Sequence, residues 1–179
     1  MKKLFATALA LVMLTVCAAS LAEQHTFGTI DVNGVFELRG VLPEGFEVAV
    51  ESAEGDDVLA VISNPNDTDA PLMMLSVAFD EMYSDVMRLN DLDAAALAEI
   101  EATFTEEDQV EITYTETAHG TRLIVARETT ESVDYVAFYT IYMGYSVEFD
   151  LVAADNGLTE EQIAMAVAFL SDLDFVPVQ

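Results

Sequence analysis

The sequence predicts an α+β fold: an antiparallel β-sheet, built from a hairpin and a C-terminal four-strand meander, with two main helices packed on it. Three observations predict it. Asn33-Gly34 divides the alternating run "TIDVNGVFEL", and that dipeptide suits the positive φ angles of a two-residue type I′ turn. The stretch "LNDLDAAALAEIEATF" places Leu92, Ala96, Ile100 and Phe104 at four-residue spacing on one helical face. Beyond it, four alternating runs follow one another with Gly120 and Gly144 between them, the pattern of consecutive antiparallel strands with one wet face.

In chain order, the start comes first. Lys2-Lys3, an apolar run from Leu4 to Ala19 and the small residues of Ser20-Leu21-Ala22 read as a secretory signal peptide cut after Ala22. The run is short for a membrane span. Residues 23–179 are then a single α+β domain, long enough for a proper core. Cys17, the one cysteine, lies within the signal segment. A lipid anchor on Cys17 is the minority alternative, because Val16 is a poor residue to precede a lipidated cysteine. In either case the folded domain has no disulfide and no thiol nucleophile.

After the hairpin, Pro43-Glu44-Gly45 turns the chain into a strand from Phe46 to Glu51. "DDVLAVISN" is a further strand, ended by the turn-rich Asn64–Pro71, and "LMMLSVAFD" reads as an apolar strand buried on both faces. The first helix spans Leu89 to Phe104, with Asn90 or Asp91 as its cap. In "QVEITYTET", Val110, Ile112 and Tyr114 alternate with Glu111, Thr113 and Thr115. "TRLIVARE", "SVDYVAFYTIYM" and "YSVEFDLVA" complete the meander.

The closing stretch "GLTEEQIAMAVAFL" opens like a calmodulin-type helix. However, the "SDLDFVPVQ" that follows it has neither the glycine nor the distal Glu of a calcium loop. Thr159 and Gln162 instead form a capping box, Glu160 and Glu161 favour the positive end of the helix dipole, and Ile163, Val167 and Leu170 line the buried face.

This order is similar to the PsbP-like fold: a hairpin, "LPEGF", strands, a helix with an acidic start, a four-strand meander turning at Gly120 and Gly144, and a final helix. That layout is shared by photosystem PsbP proteins, a nuclear Ran-binding family and many small exported bacterial proteins. The resemblance covers nearly all of residues 23–179, and it implies a small non-catalytic domain that works by binding. No Ran-binding surface or manganese-cluster role matches residue by residue.

Charge narrows the partners. The chain carries 33 acids against six basic residues, a formal net charge of −27. Loss of Lys2 and Lys3 with the signal leaves Arg39, Arg88, Arg122 and Arg127 as the cations. Such a surface excludes nucleic-acid binding, which needs Lys and Arg against phosphate, and is repelled by anionic membranes. It favours solubility, a monomer, and a protein or cationic ligand at the cell surface.

Catalytic groups are scarce. His25 is near the mature N-terminus, His119 sits in a turn, and Ser63, Ser76, Ser84 and Ser132 lack G-x-S-x-G surroundings. Neither zinc nor any cofactor is called for. With acids throughout the chain, no carboxylate pair stands out as a glycosidase pair. Tyr135 and Tyr139 share one side of a strand and Tyr142 the other, which reads as sheet packing. The one metal candidate is the oxygen-rich turn Asn64, Asn66, Asp67 and Asp69, which suits weak calcium binding. The same residues are also ordinary turn formers. The expectation is therefore a secreted, acidic, non-catalytic binding domain, with weak divalent-cation binding as its alternative.

Overall fold

The computed structural model describes residues 29–52, 57–105, 109–128, 133–154 and 157–178. The signal segment 1–22, with Cys17, lies outside the described residues, as do His25 and Ser132. Among the described residues, ten strands and two α-helices follow in the order β1 (Thr29–Val32), β2 (Phe36–Arg39), β3 (Glu47–Ser52), β4 (Val58–Ser63), β5 (Leu72–Phe79), α1 (Ala94–Phe104), β6 (Val110–Glu116), β7 (Arg122–Glu128), β8 (Tyr135–Tyr142), β9 (Tyr145–Val152), α2 (Glu160–Ser171) and β10 (Asp174–Pro177).

The strands form two antiparallel sheets. Seven of them run in the order β3-β4-β5-β9-β8-β7-β6, and three in the order β1-β2-β10. The C-terminal meander β6 to β9 is present as consecutive antiparallel pairs. Asn33 and Gly34 have φ of 53° and 69°, as a type I′ turn requires, and Gly34 N–H is held by Asp31; Val32 pairs with Phe36, so the loop holds three residues, Asn33 to Val35, rather than two. The hairpin does not join the meander's sheet. Its strand β2 pairs instead with β10, Leu38 opposite Phe175. β10 is four residues long and ends in Pro177, so it carries almost no strand signal of its own.

Alternation divides the large sheet into two faces. On the first face Tyr145, Val147, Phe149 and Leu151 of β9 join Met73, Leu75 and Val77 of β5 in one buried cluster. Ile163, Ala166, Phe169 and Leu170 of α2 and Val32, Phe36, Leu38 and Phe175 of the small sheet belong to the same cluster. The Phe169 ring stands edge-on to Phe149 at 6.4 Å. Where the two sheets touch, Phe36 packs edge-on against Tyr142 and Tyr145 at 5.1 and 5.6 Å. Tyr142 Oη also donates to the carbonyl of Phe175 at 2.9 Å.

On the second face, Leu89, Ile100, Ile124 and Ile141 form a separate buried cluster, with Leu97, Phe104 and Tyr139 packed against it. β8 is consequently buried on both sides over most of its length, and the wet face read for the meander is dry there. β5 departs the other way: buried and open residues alternate along it, with Ser76 exposed, so it is not buried on both faces.

The first helix begins later than its periodicity suggests. Leu89–Asp91 is a 3-10 turn and Leu92 is extended at φ −73°, ψ 143°. Asp93, not Asn90 or Asp91, is the cap, its Oδ1 accepting from the N–H groups of Ala95 and Ala96. Asn90 is used elsewhere, accepting from Arg122 N–H at 3.1 Å. The second helix starts as read, with the Thr159–Gln162 capping box closed in both directions.

Asp93→Ala leaves two N–H groups of α1 without their acceptor. It is expected to lower stability by about 1 kcal/mol in urea denaturation, whereas a loss within error would place the cap elsewhere.

Candidate functional site

Two places gather functional side chains, one on each face of the large sheet. The first is a groove of about 290 Å³ between β6 and α2. β6 ends the sheet order, and its residues Glu111, Thr113 and Thr115 form one wall. Ile163 and Val167 of α2 form the other, over a floor of Val125 and Val136. Arg127 lies at the groove between two acids. It stands opposite Glu111 in the β6–β7 register, and its Nη2 donates to Glu160 Oε1 of α2 at 2.5 Å. That bond raises the Arg127 pKa and holds the Glu160 carboxyl below the ordinary carboxylate range.

The other side of β6 is tied down. Tyr114 Oη donates to Glu101 of α1, and the Arg122 guanidinium lies 3.9 Å from the Tyr114 ring centroid, a cation–π stack. The edge strand is therefore held in place before any ligand arrives. Among the described residues no backbone hydrogen bond leaves Val110–Glu116 on the side away from β7.

The second place is a pair of carboxylates in the middle of the sheet. Glu148 and Asp150 are two apart on β9, and so point to the same, second face. β9 lies between β5 and β8, which sets Asp150 between Met74 and Ala137, and Glu148 between Ser76 and Tyr139. Asp150 is only 6% exposed. Tyr135 Oη donates to Asp150 Oδ1 at 2.5 Å.

Burial raises the pKa of both carboxyl groups, and for Glu148 the charge of Asp150 raises it further, while the Tyr135 hydroxyl opposes the shift in each. Burial and the two acids push the Tyr135 hydroxyl up as well, so it stays a donor. Two like-charged groups in a dry setting favour holding a proton into the neutral range. Such a pair can exchange protons, and it does not line the groove.

Sequence reasoning missed both carboxylates. "VEFDL" alternates apolar and acidic residues, which normally marks a strand with one wet face; only the central place of β9 makes that face dry. Tyr135 and Tyr139 do share a face, with Tyr142 on the other. Tyr139 packs edge-on against Phe104 at 5.7 Å, but Tyr135 does more than pack.

The turn Asn64–Asp69 has a local account. Asn64 Oδ1 accepts from Asn66 N–H and Asp67 Oδ1 from Asp69 N–H, each at 3.0 Å; these are two successive Asx turns. Asn66, Asp67 and Asp69 are exposed. His119, the one histidine among the described residues, lies in the β6–β7 turn with Nδ1 3.7 Å from Asp174 Oδ1.

No protein-family profile and no curated protein matches the chain. Among solved structures it is similar to the cyanobacterial PsbP of Synechocystis sp. PCC 6803, with 14% identity and a TM-score of 0.46 over 87% of this chain and 99% of that one. The match is to the PsbP group whose layout the sequence resembles, and the likeness is one of fold.

A carboxyl group whose pKa is raised on folding binds its proton more tightly in the native state. Its stabilising effect is complete below the ordinary carboxylate range, near pH 4, and is lost as pH rises towards neutrality. Glu148→Gln removes that loss. The variant is expected to be more stable than the wild type at pH 7.5, by roughly 1–2 kcal/mol, with the gap closing towards pH 4. Urea denaturation across this range measures it, and a gap independent of pH would show that Glu148 ionises freely.

Proposed function

We propose that residues 23–179 form an exported, monomeric, acidic binding domain without chemistry of its own, exported by the signal segment 1–22. It meets a protein or cationic partner outside the cytoplasm through the groove between β6 and α2. The groove carries the reading: it joins an apolar floor to an open sheet edge, and open edges and apolar grooves are where extended partners dock. The surplus of acids supports a cationic partner over nucleic acid or an anionic membrane.

Proton-transfer chemistry is the second reading, favoured by one observation, the Glu148–Asp150–Tyr135 cluster with its raised carboxylates. Against it, Tyr135 already occupies an oxygen of Asp150. The remaining alternative, weak calcium binding at Asn64, Asn66, Asp67 and Asp69, has less support, since the turn's own backbone uses two of the oxygens. Calorimetry with calcium on the wild type and on Asp67→Ala/Asp69→Ala separates it: a heat signal lost in the variant would restore the loop as a metal site.

Amide NMR of residues 23–179, titrated with short peptides of varied charge, is expected to shift Thr113, Thr115, Val125 and Val167 and to leave Glu148 and Asp150 in place. If the protein instead hydrolyses an ester, phosphate or glycoside, and Glu148→Gln abolishes that activity, the function belongs to the opposite face.

A further inference from the structure

Resting on the groove reading above, we infer that β6 binds an extended, cationic segment of a partner protein as an added antiparallel or parallel strand, with one of its apolar side chains in the groove beside Thr113. Three features of the edge fit this occupant. Val110–Glu116 offers seven residues of backbone with no partner on its outer side among the described residues, a length of roughly 23 Å at the usual strand rise. An added strand directs alternate side chains to the groove face, beside Glu111, Thr113 and Thr115 and towards Val167 of α2, where a β-branched side chain packs well. Acids stand near both ends of the edge: Glu111 at the groove and Glu116 at the turn, both exposed. Arg127 and Arg122 stand opposite Glu111 and Glu116 in the β6–β7 register, but Glu160 at Arg127 and Glu101 at Tyr114 bring the acids around the edge to four against two arginines. The local field is therefore negative where the ends of an added strand would lie.

The charge also decides against the obvious competitor, a second copy of this chain. Two β6 strands paired antiparallel about a two-fold axis at Thr113 would gather the exposed Glu111 and Glu116 of both copies along one shared edge, and would join two domains that each carry 33 acids against four arginines. A basic partner removes this penalty. Backbone pairing supplies general affinity, and the groove and the two glutamates select an alternating sequence with basic ends.

The probe is a blocked seven-residue peptide, arginine at each end with threonine and valine alternating between. Fluorescence anisotropy measures its binding to residues 23–179, and amide NMR locates it. Binding with shifts along Val110–Glu116 is expected. A peptide N-methylated at alternate residues, unable to pair as a strand, should bind at least about tenfold more weakly, as should the same peptide with glutamate at each end. Glu111→Lys/Glu116→Lys should reverse the preference between the arginine- and glutamate-ended peptides. Thr113→Trp, which fills the groove, should weaken both.

Equal binding of the N-methylated and unmodified peptides, with shifts still in the groove, would overturn strand addition and leave the groove reading intact. Absence of binding and of shifts by every peptide would overturn both. A wild-type chain that elutes as a dimer, with β6 amides shifting on dilution, would give the edge to a second copy instead. The peptide comparisons use the wild-type protein, so they hold even if a variant fails to fold.

Discussion

Phe36, Tyr142, Tyr145 and Phe175 meet where the small sheet touches the large one, and the architecture depends on that contact. Strands of four residues hold little stability by themselves, and each strand of the small sheet is that short. Phe36 is fully buried, which is worth about 1.5–3 kcal/mol, and each edge-on aromatic pair adds about 0.5–1.5 kcal/mol. The bond from Tyr142 Oη to the carbonyl of Phe175 satisfies a hydroxyl that would otherwise be costly to bury. With the small sheet fixed over the β8–β9 turn, α2 covers the middle of the same face. β6, at the end of the sheet order, is left with its outer side open among the described residues. The groove is thus a by-product of how far the covering layer reaches.

Charge works with this geometry. A chain of 33 acids and six basic residues must place most of its carboxylates in water; among the described residues Asp150 is the buried one, with Glu148 half-buried beside it. Both sit on β9 between β5 and β8, where folding takes Asp150 out of solvent and half-buries Glu148. Tyr135 donates into the pair and offsets part of the cost. At the β6 edge Glu101, Glu111, Glu116 and Glu160 outnumber Arg122 and Arg127, so the rim is negative while the groove floor is apolar. One face of the sheet thus conceals charge and the other displays it.

Much of the fold was legible because its signals are local. Asn33-Gly34 specifies its turn through backbone conformation alone, and Thr159 with Gln162 specifies the start of α2 through hydrogen bonds three residues apart. The four strands of the meander follow from alternation and from turns at Gly120 and Gly144. What escaped depends on partners distant in sequence. β10 is a strand only because β2 is there to pair with it. Asp93 prevails over Asn90 as a cap because Asn90 is held by Arg122, on another strand. Dryness around Glu148 and Asp150 follows from the sheet order, which no window of "YSVEFDLVA" contains. The groove was illegible for the same reason, since Thr113 and Val167 come together only in the folded chain. The oxygen-rich turn 64–69, by contrast, drew attention through composition, and its own backbone accounts for two of those oxygens.

The pairing of β2 with β10 also governs how the chain acquires its structure. Arg39 lies opposite Asp174, and Leu72–Phe79 pairs with Tyr145–Val152, so the central contacts join segments made far apart in time. Folds dominated by such distant pairings form slowly, on the scale of milliseconds to seconds, because loop closure must come before the reward of contact. Until Asp174–Pro177 emerges, β2 has one bare edge and Phe36 lacks one of its aromatic neighbours. A polypeptide in which β10 completes the sheet begun by β1 cannot close that sheet until nearly all of its described residues have been made.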